Sequence, residues 1–343
     1  SVQTNRTEHL ESHQLFGIPN YQYCFMAFLC RQLSAQGSIW TQQHNSHSPN
    51  TQPDRTNPPQ QANPKQQGNT QTARQTCMNS KIDRLKKAFP EEAAYFAVFD
   101  SVNMAYFTGF YGAAALLIPR DGDSTLYVAS TNFEQAKHEV KGVHIELLKR
   151  SEHLLNVIAQ TAKPTTHSKL AVDSLSIERY HALAKAVGDE KFLTAQNNTI
   201  RSIRAVKTPD EVALIRKACK LADLGIKVAC EVIQPGVSEL EVAAEVEYAM
   251  RKAGSCGTAF DTIVASGSGS SMPHYATSAE KKIAAGDVVM VDMGCVLNGY
   301  NSDLTRTVFV ATVDARLQEI YHVVNAAREM AVSAVRPGVT TGF

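Results

Sequence analysis

Hydrophobic and polar positions follow different rhythms along this chain. Between Leu33 and Cys77, Gln, Asn, Thr, Ser and Pro dominate and aliphatic side chains are almost absent. Such a stretch cannot bury enough apolar surface to offset the entropy of ordering it, so no packed element is expected there. Residues 1–77 read as a low-complexity leader, either a disordered tail or the product of a start site placed too far upstream. At Met78 the rhythm becomes helical, and MNSKIDRLKKAF puts Ile82, Leu85 and Phe89 on one face. From there to about Ala205 the short apolar runs AYFAVF, AALLI, TLYVA and KLAVD alternate with helical stretches near 131–140, 151–162 and 176–187. That alternation predicts an α/β domain over 78–205.

The remaining part, 206–343, opens with a long helix. Thr208 can cap it, Pro209 suits its first turn and Glu211 stands at the capping-box position. Its predicted buried stripe is Val212, Ile215, Cys219, Ala222, Ile226 and Ala229. A second helix starts at Ser238 with the same Ser-x-x-Glu signature, closed by Glu241. FDTIVASG, DVVMVDMGC and YNSDLTRTVFVA then read as strands. A last helix is expected from Asp314 to about Val335, with Leu317, Ile320, Tyr321, Val324 and Ala327 on one side. IQPGVSELE at 233–241 is echoed by VRPGVTTGF at 335–343, each after a helix of similar length. The echo suggests a duplicated domain whose second copy stops where its helix should begin. A shared Pro-Gly helix terminator would produce the same echo by chance.

Composition narrows the function without naming it. The 343 residues carry a net charge of +1 with acidic and basic side chains interspersed, so neither a nucleic acid nor an anionic membrane is expected as a partner. Seven cysteines without a Cys-x-x-Cys pair indicate neither a disulfide framework nor a zinc ribbon. The apolar stretch from Cys24 to Cys30 is too short to span a bilayer and has no basic leader before it. A cytoplasmic setting is the resulting expectation.

The chemistry is concentrated in two aspartates. Asn298-Gly299 between two strand-like runs signals a two-residue hairpin. With that turn Leu297 pairs with Tyr300, Asp292 faces Thr305 and Gly294 faces Asp303. Asp292 and Asp303 then share one face as diagonal neighbours, about 7 to 8 Å apart at the backbone. Gly294 would leave room between them. A one-residue slip would put the two acids on opposite faces. Two carboxylates beside an apolar run are costly unless something positive neutralises them, either a divalent metal or a basic side chain. Arg306 is the nearest cation in sequence, but its offset of three from Asp303 directs it to the other face. Spacing alone leaves metal and salt bridge equally open. Cys295 faces away from Asp292 and is expected in the core.

VDMGCVLNGYNSDLTRT, with FDTIVASGSGSSMPHY, the IRAVKTPDEVALIRKA helix and the α/β domain before it, resembles the creatinase/aminopeptidase (pita-bread) family, in its Xaa-Pro aminopeptidase and Xaa-Pro dipeptidase (prolidase) branch. The likeness runs from about Met78 to the end. It implies a creatinase-type α/β N-terminal domain followed by an incomplete α+β pita-bread catalytic domain, C-terminally truncated. By the resemblance Asp292 chelates one metal ion and Asp303 bridges two, the ions being Mn, Co or Zn. His274 would contact the scissile carbonyl or the tetrahedral intermediate, as both a catalytic and a substrate-binding residue. Metal-dependent hydrolysis of the bond preceding proline in proline-containing peptides follows, as does a homodimer. The family completes its centre with one histidine and two glutamates from the second half, which would follow Phe343. The 343-residue fragment is therefore expected to be inactive and an extended version active. Two other readings stay open: a hydrolase or lyase of the same fold acting on a small non-peptide metabolite, and a non-catalytic module that binds a partner protein.

Overall fold

The computed structural model describes residues 81–149 and 153–340. The expected leader 1–77, the first residues of the helix at Met78 and the last three residues of the echo lie outside the described residues. Those described fall into two compact units, 81–208 and 209–340.

The first unit begins with a helix over 81–87 (α1) and continues through β1 (Ala93–Val98), α2 (Ser101–Thr108), β2 (Ala115–Pro119), β3 (Thr125–Ala129), α3 (Phe133–Glu139) and β4 (His144–Leu148). It ends with α4 (Leu154–Ala162), β5 (Lys169–Val172), α5 (Ile177–Val187), β6 (Leu193–Ala195) and α6 (Asn197–Ala205). The strands form one six-stranded sheet in the order β4-β3-β2-β1-β5-β6. The four apolar runs of the sequence supply its centre, and Phe96, Leu116, Ile118, Leu126 and Leu170 are fully buried there. The edge strands β4 and β6, with α2 and α6, are elements the apolar pattern did not mark. β4 has exposed and half-buried residues but none fully buried, and β6 has only three residues, because an edge strand leaves much of its length to solvent. Asp173 ties the sheet to α2, accepting from the Phe99 and Asp100 amides at 2.8 and 3.2 Å and from Asn103 Nδ2 at 3.0 Å.

The second unit runs α7 (Pro209–Val232), α8 (Glu239–Lys252), β7 (Gly257–Thr258), β8 (Ile263–Ser266), β9 (Val288–Met293), β10 (Cys295–Leu297), β11 (Tyr300–Asn301), β12 (Leu304–Phe309) and α9 (Ala315–Ala334). Its strands make two three-stranded sheets, β12-β9-β8 and β11-β10-β7. One long hairpin threads both, its base in the first and its tip in the second. Val264, Val289, Val291, Met293 and Cys295 gather with Ala218, Ala229, Val242 and Val246 from the helices in one buried core, which places Cys295 where the sequence reading expected it.

Two helix faces differ from expectation. Of the stripe expected on α7, Ile215, Ala222 and Ala229 are buried, whereas Val212, Cys219 and Ile226 are only half-buried and Glu211, Ala218 and Gly225 are buried beside them. Midway along the helix the approach is close: a Cβ at Gly225 would lie 2.8 Å from Met293 Sδ and 3.1 Å from Met250 Sδ, so a side chain there would have to displace the methionines. On α9 no residue is buried, and Leu317, Ile320, Tyr321 and Val324 are all exposed. An amphipathic pattern states that a face is suited to burial, and among the described residues this one stays exposed, with the Phe309 ring meeting Tyr321 edge-on at 5.2 Å between centroids. The α8 terminus matches its signature fully. Ser238 Oγ accepts from the Glu241 amide at 3.2 Å, while the Glu241 carboxylate accepts from the Ser238 amide at 2.6 Å and from Ser238 Oγ at 2.7 Å, and these last two bonds with Lys282 hold the carboxyl down to about 2.

Cys230, Cys256 and Cys295 are free thiols, whereas Cys219 is disulfide-bonded. Among the described residues no helix is long and apolar enough to cross a membrane.

Gly294 is the tightest point of the second unit, since a Cβ there would overlap the Ser302 carbonyl and come within 2.9 Å of the Phe260 ring. Gly294→Ala is expected to destabilise the protein by about 1–3 kcal/mol, the usual cost of overpacking. Chemical denaturation of the two chains measures it, and unchanged stability would show that the hairpin yields at this position.

Candidate active site

The geometry starts at the turn. Asn298 and Gly299 both have positive φ, 50° and 81°, the conformation of a two-residue type I′ loop. Leu297 pairs with Tyr300 and Val296 with Asn301 at the tip. Further down, Met293 pairs with Leu304 and Asp292 with Thr305. The register set at the turn therefore persists past the break between the two sheets. Asp303, two residues before Thr305, lies on the same side of the ladder as Asp292. Val291 and Met293 alternate to the other side, into the core beneath α7 and α8.

The break is where the structure departs from the sequence reading. Gly294 leaves no open space opposite Asp303, because the Ser302 backbone carbonyl, the Phe260 ring and Ala259 fill it. The Cys295 amide donates to Ser302 Oγ at 3.0 Å while the Ser302 amide donates to the Cys295 carbonyl at 2.9 Å. A side-chain hydroxyl thus replaces one backbone acceptor of the ladder. The glycine permits a close backbone approach beside the aspartates and does not make a cavity.

Both aspartates are half-buried, and their electrostatics are frustrated. Burial, and then the charge of Asp292, push the Asp303 carboxyl up to about 6. Asp292 is also raised by burial, against a hydrogen bond from Thr305 and the influence of His274. Thr305 Oγ1 donates to Asp292 Oδ1 at 2.8 Å. The sequence marks Thr305 only as the cross-strand neighbour of Asp292, and that pairing is the signal for its role. Arg306 does not neutralise the pair. Its guanidinium donates to the Thr305 carbonyl at 2.8 Å, and the charges around it are Asp223 and Arg328.

Two carboxylates with oxygen donors, partly withdrawn from water and repelling one another, fit a divalent cation, which prefers such ligands. They would supply only part of its coordination. Among the described residues no group of three or more His, Cys, Asp or Glu side chains could hold a metal ion. His274 is on the loop that follows β8, exposed, and close enough for its charge to act on Asp292. The three residues singled out in the sequence are thus brought into one electrostatic neighbourhood from a loop and both arms of a hairpin.

Comparison with known proteins gives this neighbourhood a context. Residues 81–206 match the model of the creatinase/prolidase N-terminal domain and residues 213–342 that of metallopeptidase family M24. A Xaa-Pro dipeptidase of Pyrococcus furiosus is 36% identical over 266 residues, covering 77% of this chain and 74% of that protein. Among solved structures, a Xaa-Pro dipeptidase from Bacillus anthracis superposes with a TM-score of 0.70 at 31% identity, covering 77% of this chain and 74% of the other. The prolidase from Pyrococcus horikoshii OT3 gives 0.68 at 31% identity, with coverage of 76% and 74%.

The raised Asp303 carboxyl has a stability consequence whose sign is definite. A carboxyl raised in the folded state costs nothing below its unfolded value near 4. It destabilises the fold progressively as pH climbs to about 6, and it keeps that penalty above. Asp303→Asn removes the penalty. In the presence of a chelator the variant is expected to melt about 2–4 °C higher than the parent chain at pH 7, for ~1 kcal/mol after allowance for partial solvent exposure. At pH 4 the two should melt together. Equal melting temperatures at pH 7 would mean that neither burial nor Asp292 raises the Asp303 carboxyl in solution.

Proposed function

Because the chain belongs to metallopeptidase family M24 and has the creatinase/prolidase N-terminal domain, we propose that it hydrolyses the peptide bond preceding proline in a metal-dependent reaction. The observation that carries the proposal is the pair of half-buried, mutually repelling carboxylates of Asp292 and Asp303 on one side of a hairpin, with His274 beside them. In this reading Asp292 and Asp303 would be ligands of two divalent ions, of Mn, Co or Zn, with Asp303 the ligand they would share. The prolidase type is preferred to the aminopeptidase type, since the relatives of Pyrococcus furiosus and Bacillus anthracis are named Xaa-Pro dipeptidases. A homodimer is part of the proposal, and light scattering on the purified protein reads it.

When bound, divalent ions supply Lewis acidity, which makes water a better nucleophile at neutral pH. The residues of this chain prepare the place. Asp292 is oriented by the hydrogen bond from Thr305 Oγ1, so one oxygen is engaged and the other is left for a ligand. Asp303 accepts no hydrogen bond among the described residues, which leaves both of its oxygens available. His274 can donate to the carbonyl oxygen of the scissile bond as negative charge develops there.

The full-length gene product is expected to hydrolyse a Xaa-Pro dipeptide in the presence of Mn²⁺ and to lose that activity with chelator. Longer Xaa-Pro peptides should be cleaved poorly if the prolidase assignment holds. Asp292→Asn and Asp303→Asn should each abolish measurable turnover, and His274→Ala should lower kcat by roughly 10²–10³-fold, the range for loss of one oxyanion donor. Retention of turnover by the double aspartate variant would overturn the ligand assignment. Failure to cleave any Xaa-Pro substrate with Mn, Co or Zn would overturn the function.

A further inference from the structure

Glu239 is fully buried, yet it has no part in the ligand pair and no lysine or arginine is bonded to it among the described residues. Removing a carboxylate from water is tolerated only where donors meet it. Here they come from both ends of one loop. Glu239 Oε1 accepts from the Ser266 amide at 2.8 Å and from Ser266 Oγ at 2.7 Å, where the chain leaves β8. Glu239 Oε2 accepts from the Ser278 amide at 3.1 Å, where the chain returns. Between these points lie a 3-10 turn over Gly267–Ser271 and then His274.

Neighbouring contacts make the closure firm. As the first residue of α8, Glu239 sits at the positive end of the helix dipole. The amides of Glu239 and Leu240 are spent on the Lys281 and Ser278 carbonyls, at 3.2 and 3.1 Å. Thr277 Oγ1 accepts from the Val264 amide at 2.9 Å and donates to the Thr262 carbonyl at 3.1 Å, tying the returning strand back to β8. Inside the loop the Tyr275 ring packs against Gly269, where a Cβ would come within 2.8 Å of it, and its phenol lies beside Glu239. His274, next in sequence to Tyr275, is the exposed residue of this closed loop that reaches Asp292.

We propose that Glu239 is a positioning residue: one buried carboxylate clamps both stems of the 267–277 loop and thereby keeps His274 on the Asp292 side of the hairpin. The positioning role rests on the assignment of the aspartate pair as a metal-dependent peptidase site. Glu239→Gln separates the two stems chemically, because its amide oxygen can still accept from Ser266 while its NH₂ group cannot accept from the Ser278 amide. The returning stem is released and the departing stem is kept.

The test uses amide hydrogen exchange on the whole protein, together with the proton resonances of the His274 ring, identified by their loss in His274→Ala. In Glu239→Gln, exchange should accelerate at least tenfold over 272–278 and stay unchanged over 263–266, β9 and β12. Added Mn²⁺ should broaden the His274 resonance in the parent protein and broaden it less in the variant. In peptide hydrolysis kcat should fall at least tenfold with KM within threefold. Ser266→Ala is a milder second variant that leaves the carboxylate in place, and its acceleration should be several-fold and confined to 266–268. Acceleration spread evenly through the unit, or none in either variant, would overturn the clamp. Unchanged His274 broadening and kcat in a variant with a loosened loop would overturn the positioning role. Absence of Mn²⁺ broadening in the parent protein would overturn the site assignment itself, and the exchange pattern distinguishes that failure from failure of the clamp.

Discussion

The register of the hairpin from Val288 to Phe309 is the constraint on which the second unit depends. It originates in two residues with positive φ, Asn298 and Gly299, and is transmitted through Met293–Leu304 to Asp292–Thr305 across a break in the ladder. A shift of one residue would exchange the two sides of β12. Asp303 would then turn toward the core and Leu304 toward the aspartate side. Gly294 reinforces the register, because the Ser302 carbonyl rests where any side chain would have to be. The turn selects the pairing and the glycine excludes the alternatives.

That arrangement costs stability at the site it creates. Asp303 is pushed up to about 6 by burial and by Asp292, so the fold carries like charges that Arg306 does not relieve and that His274 eases only at Asp292. Frustration of this kind is characteristic of places where a ligand is to be bound, since the ligand's charge replaces the missing compensation. Thr305 takes part by engaging one oxygen of Asp292. The carboxylates are thus oriented by the strand pair itself before any ion arrives.

Around the hairpin, small residues and buried acceptors decide how closely the layers approach. Ala218, Ala222, Gly225 and Ala229 let α7 lie against Met293 and Met250. Glu239 binds the start of α8 to the loop that carries His274. The rigid core on one side of the sheet and the pinned loop at its end hold the chemically active groups from independent directions. Each of them is supported by backbone geometry and not by a neighbour in sequence.

Local signals were sufficient wherever a residue's role is set by its nearest neighbours along the chain. Asn298-Gly299 determined the turn, Ser238 and Glu241 the helix cap, and AYFAVF, AALLI, TLYVA and KLAVD the centre of the first sheet. Period-two alternation then placed Asp292 and Asp303 together. Tertiary structure alone decided the rest. β4 and β6 form because the sheet offers them an edge, not because their own residues demand it. Gly225 is buried on α7 because Met293 and Met250 of the opposing layers stand where its side chain would be. The fully buried Glu239 had no distinguishing mark beside the exposed Glu241, two positions on in the same helical turn. Its donors are Ser266 and Ser278, and only folding brings those two to the same carboxylate. Periodicity reports which side of an element a residue occupies, whereas the identity of what meets it there is a property of the packed chain.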